Sequence, residues 1–414
     1  MRKKIVLILF LLCYTNFLLS QTYSIVIKDG HVIDPKNNID AIMDVAINDG
    51  KIVMVAKNID SRKATQVVNA KGFYVTPGLI DIHTHNFVGT NLDQVFANGP
   101  SGVIPDGFTF RTGVTTIVDA GCSGWRNFSE FKKNIIDRSQ TRVLAFLNIV
   151  GEGMRGNPYE QNVSDMDPKL TANVAKANKN IIVGIKLAHY EGPEWIATDR
   201  TVEAGTRADI PVMIDFGGSA PPLSIEELFL KKLRPGDIFT HCFAQLNTRE
   251  FIVDTGSRVV KPFVMTARNR GIIFDVGYGG ISFSFSQAIP AVKNGFYPNS
   301  ISTDLHTGSM NNAMKDQLSV MSKFLIMGMD LISVIRASTS NPAKIIKREE
   351  LGNLSVGSEA DVAILNLREG KFGFFDYVGY KIEGNKKLEC EMTIRAGKIV
   401  YDLNGIASPV VIRR

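Results

Sequence analysis

Disulfide chemistry has little to work with in this chain, which carries four cysteines in 414 residues. Cys13 sits in the leading apolar segment, so removal of that segment leaves Cys122, Cys242 and Cys390. Three thiols make no disulfide framework, which permits an oxidising compartment but does not exploit it. Long apolar runs are also missing. The leading run from Ile5 to Leu12 falls short of the roughly 20 apolar residues that a membrane span needs. Neither sign of charge dominates. The net charge is +6, Lys and Arg are dispersed, and no basic run is interleaved with aromatics, so nucleic acid is not implied. A hydrophobic content of 44% with 21% charge describes a folded soluble protein.

Met1-Arg2-Lys3-Lys4 ahead of the apolar run reads as a secretory signal over residues 1–20, cut near Ser20 or Gln21. Leu12 is too large to precede a lipid-modified Cys13. The expectation is an exported protein, periplasmic or extracellular, with no stable membrane anchor after cleavage.

Residues 21–75 and 350–414 share one idiom. Asp44-Val45-Ala46-Ile47 runs through Asn48-Asp49-Gly50 into Lys51-Ile52-Val53, a hairpin signal, and Ser24–Ile27 runs into Lys28-Asp29-Gly30 in the same way. Asp361–Leu365 and Thr393–Val400 repeat it at the far end. Each end alone offers few strands with which to bury a face, so the two are expected to join in one small β-domain, split in sequence.

Between them, residues 76–349 alternate apolar runs with helical patterns, the mark of βα units. The runs are Leu79–His83, Val114–Val118, Val143–Ile149, Ile181–Leu187, Pro211–Asp215, Asp237–His241, Gly271–Val276 and Ser300–Asp304. Eight is the number that closes a parallel barrel, so the fold class is α/β, a (β/α)8 TIM barrel. Active sites in that fold sit at the C-terminal ends of the strands. His83 and His85 end the first run, and residues i and i+2 of a strand share a face, so two imidazoles aim at one point. Lys186 lies at the end of the fourth run, Asp215 the fifth, His241 the sixth and Asp304 the eighth. Lys186 and Asp215 stand 29 residues apart, and Asp215 and His241 stand 26 apart, each close to one βα unit. Histidines, carboxylates and a lysine around one mouth suit a divalent metal of the zinc type. The lysine fits as a carbamate or, alternatively, as a buried ion-pair partner of Asp215 or Asp304.

Val75-Thr76-Pro77-Gly78-Leu79-Ile80-Asp81 leading into His83-Thr84-His85 resembles the opening motif of the amidohydrolase superfamily. Val183–Lys186, Arg234–Phe243 and Ile301–His306 resemble its deacetylase-like metallohydrolase branch, whose members are labelled dihydroorotase-like or adenine-deaminase-like. The resemblance implies that the flanking β-domain is a small split β-sandwich and that the site holds one or two Zn2+ ions. His83 and His85 would bind the first, carbamylated Lys186 would bridge, and His241 would bind the second. Asp304 would be both ligand and catalytic proton shuttle. Two positions depart from the pattern: Asp215 and Tyr278 stand where that branch has histidines.

Arg155, in a glycine-rich loop, Tyr278 and His306 are taken as substrate contacts. His189 is read as an ordinary loop residue and Cys242 as a packed one. The expected reaction is hydrolysis of an amide or ester, and the resemblance implies first of all deacetylation of a small acylated amino acid or hydroxy acid. The alternatives are a cyclic amidase of dihydroorotase type, a deaminase, and a degenerate barrel that binds a ligand without turning it over. The partner is a small molecule, and a homo-oligomer is compatible with the sequence.

Overall fold

The computed structural model describes residues 23–215, 219 and 222–409. The expected signal segment lies outside them. Among the described residues no helix is long and apolar enough to cross a membrane.

Five strands open the described chain: β1 (Tyr23–Asp34), β2 (Ile39–Asn48), β3 (Lys51–Ala56), β4 (Ala64–Asn69) and β5 (Tyr74–Pro77). Asp49 and Gly50 join β2 to β3 with φ of 48° and 73°, the two left-handed residues a tight hairpin turn requires. Asp29-Gly30 does not turn the chain, contrary to expectation. Asp29 takes φ 58° inside β1, and the pairing with β2 shifts between Ile27 and Gly30, so the dipeptide makes a bulge.

Seven strands follow: β6 (Leu79–Thr84), β7 (Val114–Gly124), β8 (Arg142–Asn148), β9 (Ile182–Leu187), β10 (Val212–Ile214), β11 (Ile238–Phe239) and β12 (Ile273–Phe274). They pair in sequence order, all parallel, in one curled sheet. The eighth run forms no extended strand. It touches both edges of the sheet by single parallel bridges, Ser300 to Asp275 and Leu305 to Thr84. Asp304 adopts φ 52°, which breaks a regular ladder at that point. Ile82, Ala120, Phe146, Val183 and Met213, from five strands, share one buried cluster. Ile82, Phe146, Val183 and Met213 each contribute about 1.5–3 kcal/mol on leaving water.

Three strands close the chain: β13 (Val362–Phe375), β14 (Lys381–Arg395) and β15 (Lys398–Asp402). β5 lies between β1 and β13, so one eight-stranded sheet draws on both ends of the chain. The β13–β14 hairpin is long enough to reach the parallel sheet. At its tip the Phe375 carbonyl accepts from the Tyr278 hydroxyl at 3.0 Å, and Asp376 accepts from the Phe285 amide at 2.9 Å.

Candidate metal centre

β6 delivers His83 and His85 to the C-terminal edge of the curled sheet, both buried. Thr240 fixes the tautomer of His83. Its hydroxyl donates to Asp275 at 2.7 Å, which leaves Oγ1 to accept from His83 Nδ1–H at 2.8 Å. The Nε2 lone pair of His83 then faces the site, as a metal ligand's must. His241 is oriented the same way, with Nδ1 donating to the Gly277 carbonyl at 2.5 Å. His85 Nδ1 lies 3.3 Å from the Cys122 sulfur, and its Nε2 lies 2.7 Å from Asp304 Oδ1. Ligand atoms of His83, His85 and Asp304 all fall within 4.8 Å of one another. That donor set suits a divalent metal.

Lys186, fully buried on β9, places Nζ 3.2 Å from His83 Nε2 and 3.7 Å from the Met213 sulfur. Burial lowers its pKa, and the charges of Asp215, Asp304 and Asp275 only partly restore it. Burial, then the charge of Lys186, pushes His83 down to about 3. Burial opposes a charge on Asp304, but His83 and His85 outweigh it and hold the carboxyl well below the usual range.

Asp215 and His241 form the other side of the cluster. Asp215 Oδ2 lies 3.3 Å from His241 Nε2 and 3.6 Å from His189 Nε2, and Oδ1 accepts from Arg249 at 2.6 Å. The rings of His83 and His241 are 4.9 Å apart, which joins the two sides.

The backbone makes room for this. Gly277 has φ 46°, and a Cβ there would fall 2.4 Å from Thr240 Oγ1 and 2.8 Å from His241 Nδ1. At Gly279 a Cβ would fall 2.4 Å from Asp304 Oδ2. His189, His241 and Asp304 all hold positive φ, a strain of order 1–3 kcal/mol each that gathers where chemistry is done.

The comparisons agree with the geometry. The family model described as "Amidohydrolase family" matches residues 284–400. A deacetylase of Brucella anthropi is 35% identical over 341 residues, covering 79% of this chain and 80% of that protein. The chain belongs to the amidohydrolase family. It is therefore a metal-dependent hydrolase of carbon–nitrogen bonds. Another similar protein is a deacetylase of Agrobacterium fabrum, 34% identical with 77% of each chain covered. Among solved structures, an adenine deaminase superposes with TM-score 0.81 at 27% identity, over 92% of this chain and all of that one. A dihydroorotase superposes with TM-score 0.77 at 27% identity, over 91% and 99%.

The structure of this amidohydrolase gathers His83, His85, Lys186, Asp215, His241 and Asp304 at one mouth. Three expected substrate contacts fare differently. Tyr278 is a correction: its side chain is wholly buried, stacked on Phe283 at 4.3 Å, and its hydroxyl is held by Lys323 and the Phe375 carbonyl. The long hairpin draws it away from the mouth. Arg155 is engaged by Glu152 at 3.5 Å and the Tyr159 ring at 4.0 Å in its own loop, and by Asp93 of the segment after β6 at 3.3 Å. His306 stays at the rim, its ring 6.2 Å from that of His85, while its Nδ1 caps the Thr307–Met310 helix.

His189 is more than the loop residue expected. Its Nδ1 lies 2.7 Å from buried Glu160 and its Nε2 faces Asp215. Partial burial works against its charge, but Glu160 and then Asp215 outweigh that and push it up to about 9. Thr240, Asp275 and Arg249 were missed altogether. The one local signal was the position of Thr240 beside His241. Asp275 and Arg249 are ordinary residue types whose partners are distant in sequence.

Proposed function

We propose that this amidohydrolase is a deacetylase of small acylated amino acids or hydroxy acids, exported from the cell. The observation that carries the reading is the convergence of His83, His85 and Asp304 beside the Nζ of Lys186. These residues would hold a zinc ion, with Lys186 as its carbamate. Bound there, a divalent cation supplies Lewis-acid polarisation of a carbonyl and an acidified water. His83 Nε2 is kept available by the Thr240–Asp275 relay, and burial lowers the pKa of Lys186, the direction that reaction with CO2 requires. Asp304, ionised, accepts the proton of the attacking water on Oδ2, the oxygen turned toward Gly279. It returns that proton to the leaving nitrogen or oxygen. The finer architecture proposed with this reading is a closed (β/α)8 barrel over residues 76–349, flanked by a split β-sandwich from 21–75 and 350–414.

The likeness to deacetylases supports the choice of substrate. The likeness to a dihydroorotase and an adenine deaminase supports a second reading, ring opening or deamination. A screen separates them. Zinc-loaded enzyme is offered N-acetyl amino acids, O-acetyl hydroxy acids, cyclic amides and adenine. Acetate release is expected; ring opening or ammonia without acetate would replace the first reading by the second.

A further inference from the structure

Resting on the metal-dependent reading above, we infer that the centre holds one divalent cation and that the buried guanidinium of Arg249 takes the place of a second. A second cation would need the Asp215 carboxylate and the His241 imidazole. One oxygen of that carboxylate is already held by the protein's own guanidinium. Oδ1 accepts from Arg249 Nη2 at 2.6 Å, and Oδ2 faces His241 at 3.3 Å and His189 at 3.6 Å.

Arg249 cannot release it. The residue is buried, and its Nε and Nη1 have no hydrogen-bond partner among the described residues. Asp215 is the acid it pairs with. A guanidinium keeps its proton at any working pH, so moving Asp215 to a metal would strand a buried charge. A cation seated between Asp215 and His241 would also lie against that guanidinium, in a setting where like charges are poorly screened.

The other side of the cluster has no such obstacle. His83, His85 and Asp304 bring their ligand atoms within 4.8 Å, and the basic group beside them is a lysine. An amine can lose its proton, whereas a guanidinium cannot. The two basic residues of the site therefore differ in kind. Lys186 can yield to a metal, and Arg249 substitutes for one.

The test counts ions on the full-length protein. Metal-free protein is reloaded with Mn2+ and bicarbonate, desalted, and read by elemental analysis and electron paramagnetic resonance. About one ion per chain is expected, with the signal of an isolated Mn2+. Two ions per chain, or a spin-coupled pair, would overturn the inference and leave the hydrolase reading standing. No retained ion would overturn both. Two variants test the role of Arg249. Asp215→His should still bind one ion, because the guanidinium remains. The double variant Asp215→His with Arg249→Met should bind two; if it stays at one while its circular dichroism matches the parent, Arg249 is not what excludes the second ion.

Discussion

Asp304 touches His85 through one oxygen and turns the other toward Gly279, so it can bind and still carry a proton. Asp304→Asn keeps the shape and removes the base. The kcat should fall by roughly 10²–10⁴-fold while the circular dichroism spectrum stays unchanged, and near-normal turnover would take the proton-carrying role from this residue. Thr240 acts one step back. Thr240→Val preserves volume but leaves His83 Nδ1–H without its acceptor. Metal affinity should drop about 10–100-fold in a chelator competition, and an unchanged affinity would show that the relay through Asp275 does not orient His83. His83, His85 and Asp304 were legible because their types and strand-end positions announce chemistry. Thr240 and Asp275 were not, because a hydroxyl and a carboxylate acquire this role only from the side chains they meet.

A turn and a helix beyond the strands each hold a constrained residue. The turn after β12 passes so close to the histidines that Gly277 is the residue that fits. Gly277→Ala should displace Thr240 or His241, and metal retention through desalting should fall. The helix Gln317–Met327 carries Lys323, whose amine is buried against Tyr278 and bonds the Ala313 carbonyl. Burial pushes its pKa down to about 7, although Asp316 and Asp376 work to raise it; Lys315 adds to the lowering. Between pH 7 and 10 the unfolded chain binds this proton and the folded chain does not, so stability should rise with pH across that window. Below pH 7 both states are protonated and the effect vanishes. The slope from this group is at most about 1.4 kcal/mol per pH unit. Urea titrations of the parent and Lys323→Met at pH 7, 8 and 9 would reveal it as a slope present in the parent and absent in the variant. The alternation of apolar runs with helical patterns allows a helix here. It gave no hint that the lysine faces inward, since that depends on where the β13–β14 hairpin holds Tyr278.

The parallel sheet and the terminal sheet are locked by charge as well as by apolar packing. Arg142, at the start of β8, meets Asp361 at 2.7 Å and Glu359 at 2.8 Å. Arg142→Met should lower the free energy of unfolding by about 1–3 kcal/mol in urea, and no change would mean that this contact adds nothing across the junction. Removing the metal should lower the melting temperature and adding it back should restore it, because a ligand bound only by the folded state stabilises that state. Local pattern was enough to specify the order of the parallel strands and a donor set at their ends that suits a divalent ion, because strand periodicity and donor chemistry are written in neighbouring residues. Tertiary structure alone decided that Asp29-Gly30 bulges instead of turning and that the eighth run only bridges the sheet's edges. It also decided that Tyr278 faces the core and that Arg249 reaches Asp215, since each depends on atoms brought together from distant parts of the chain.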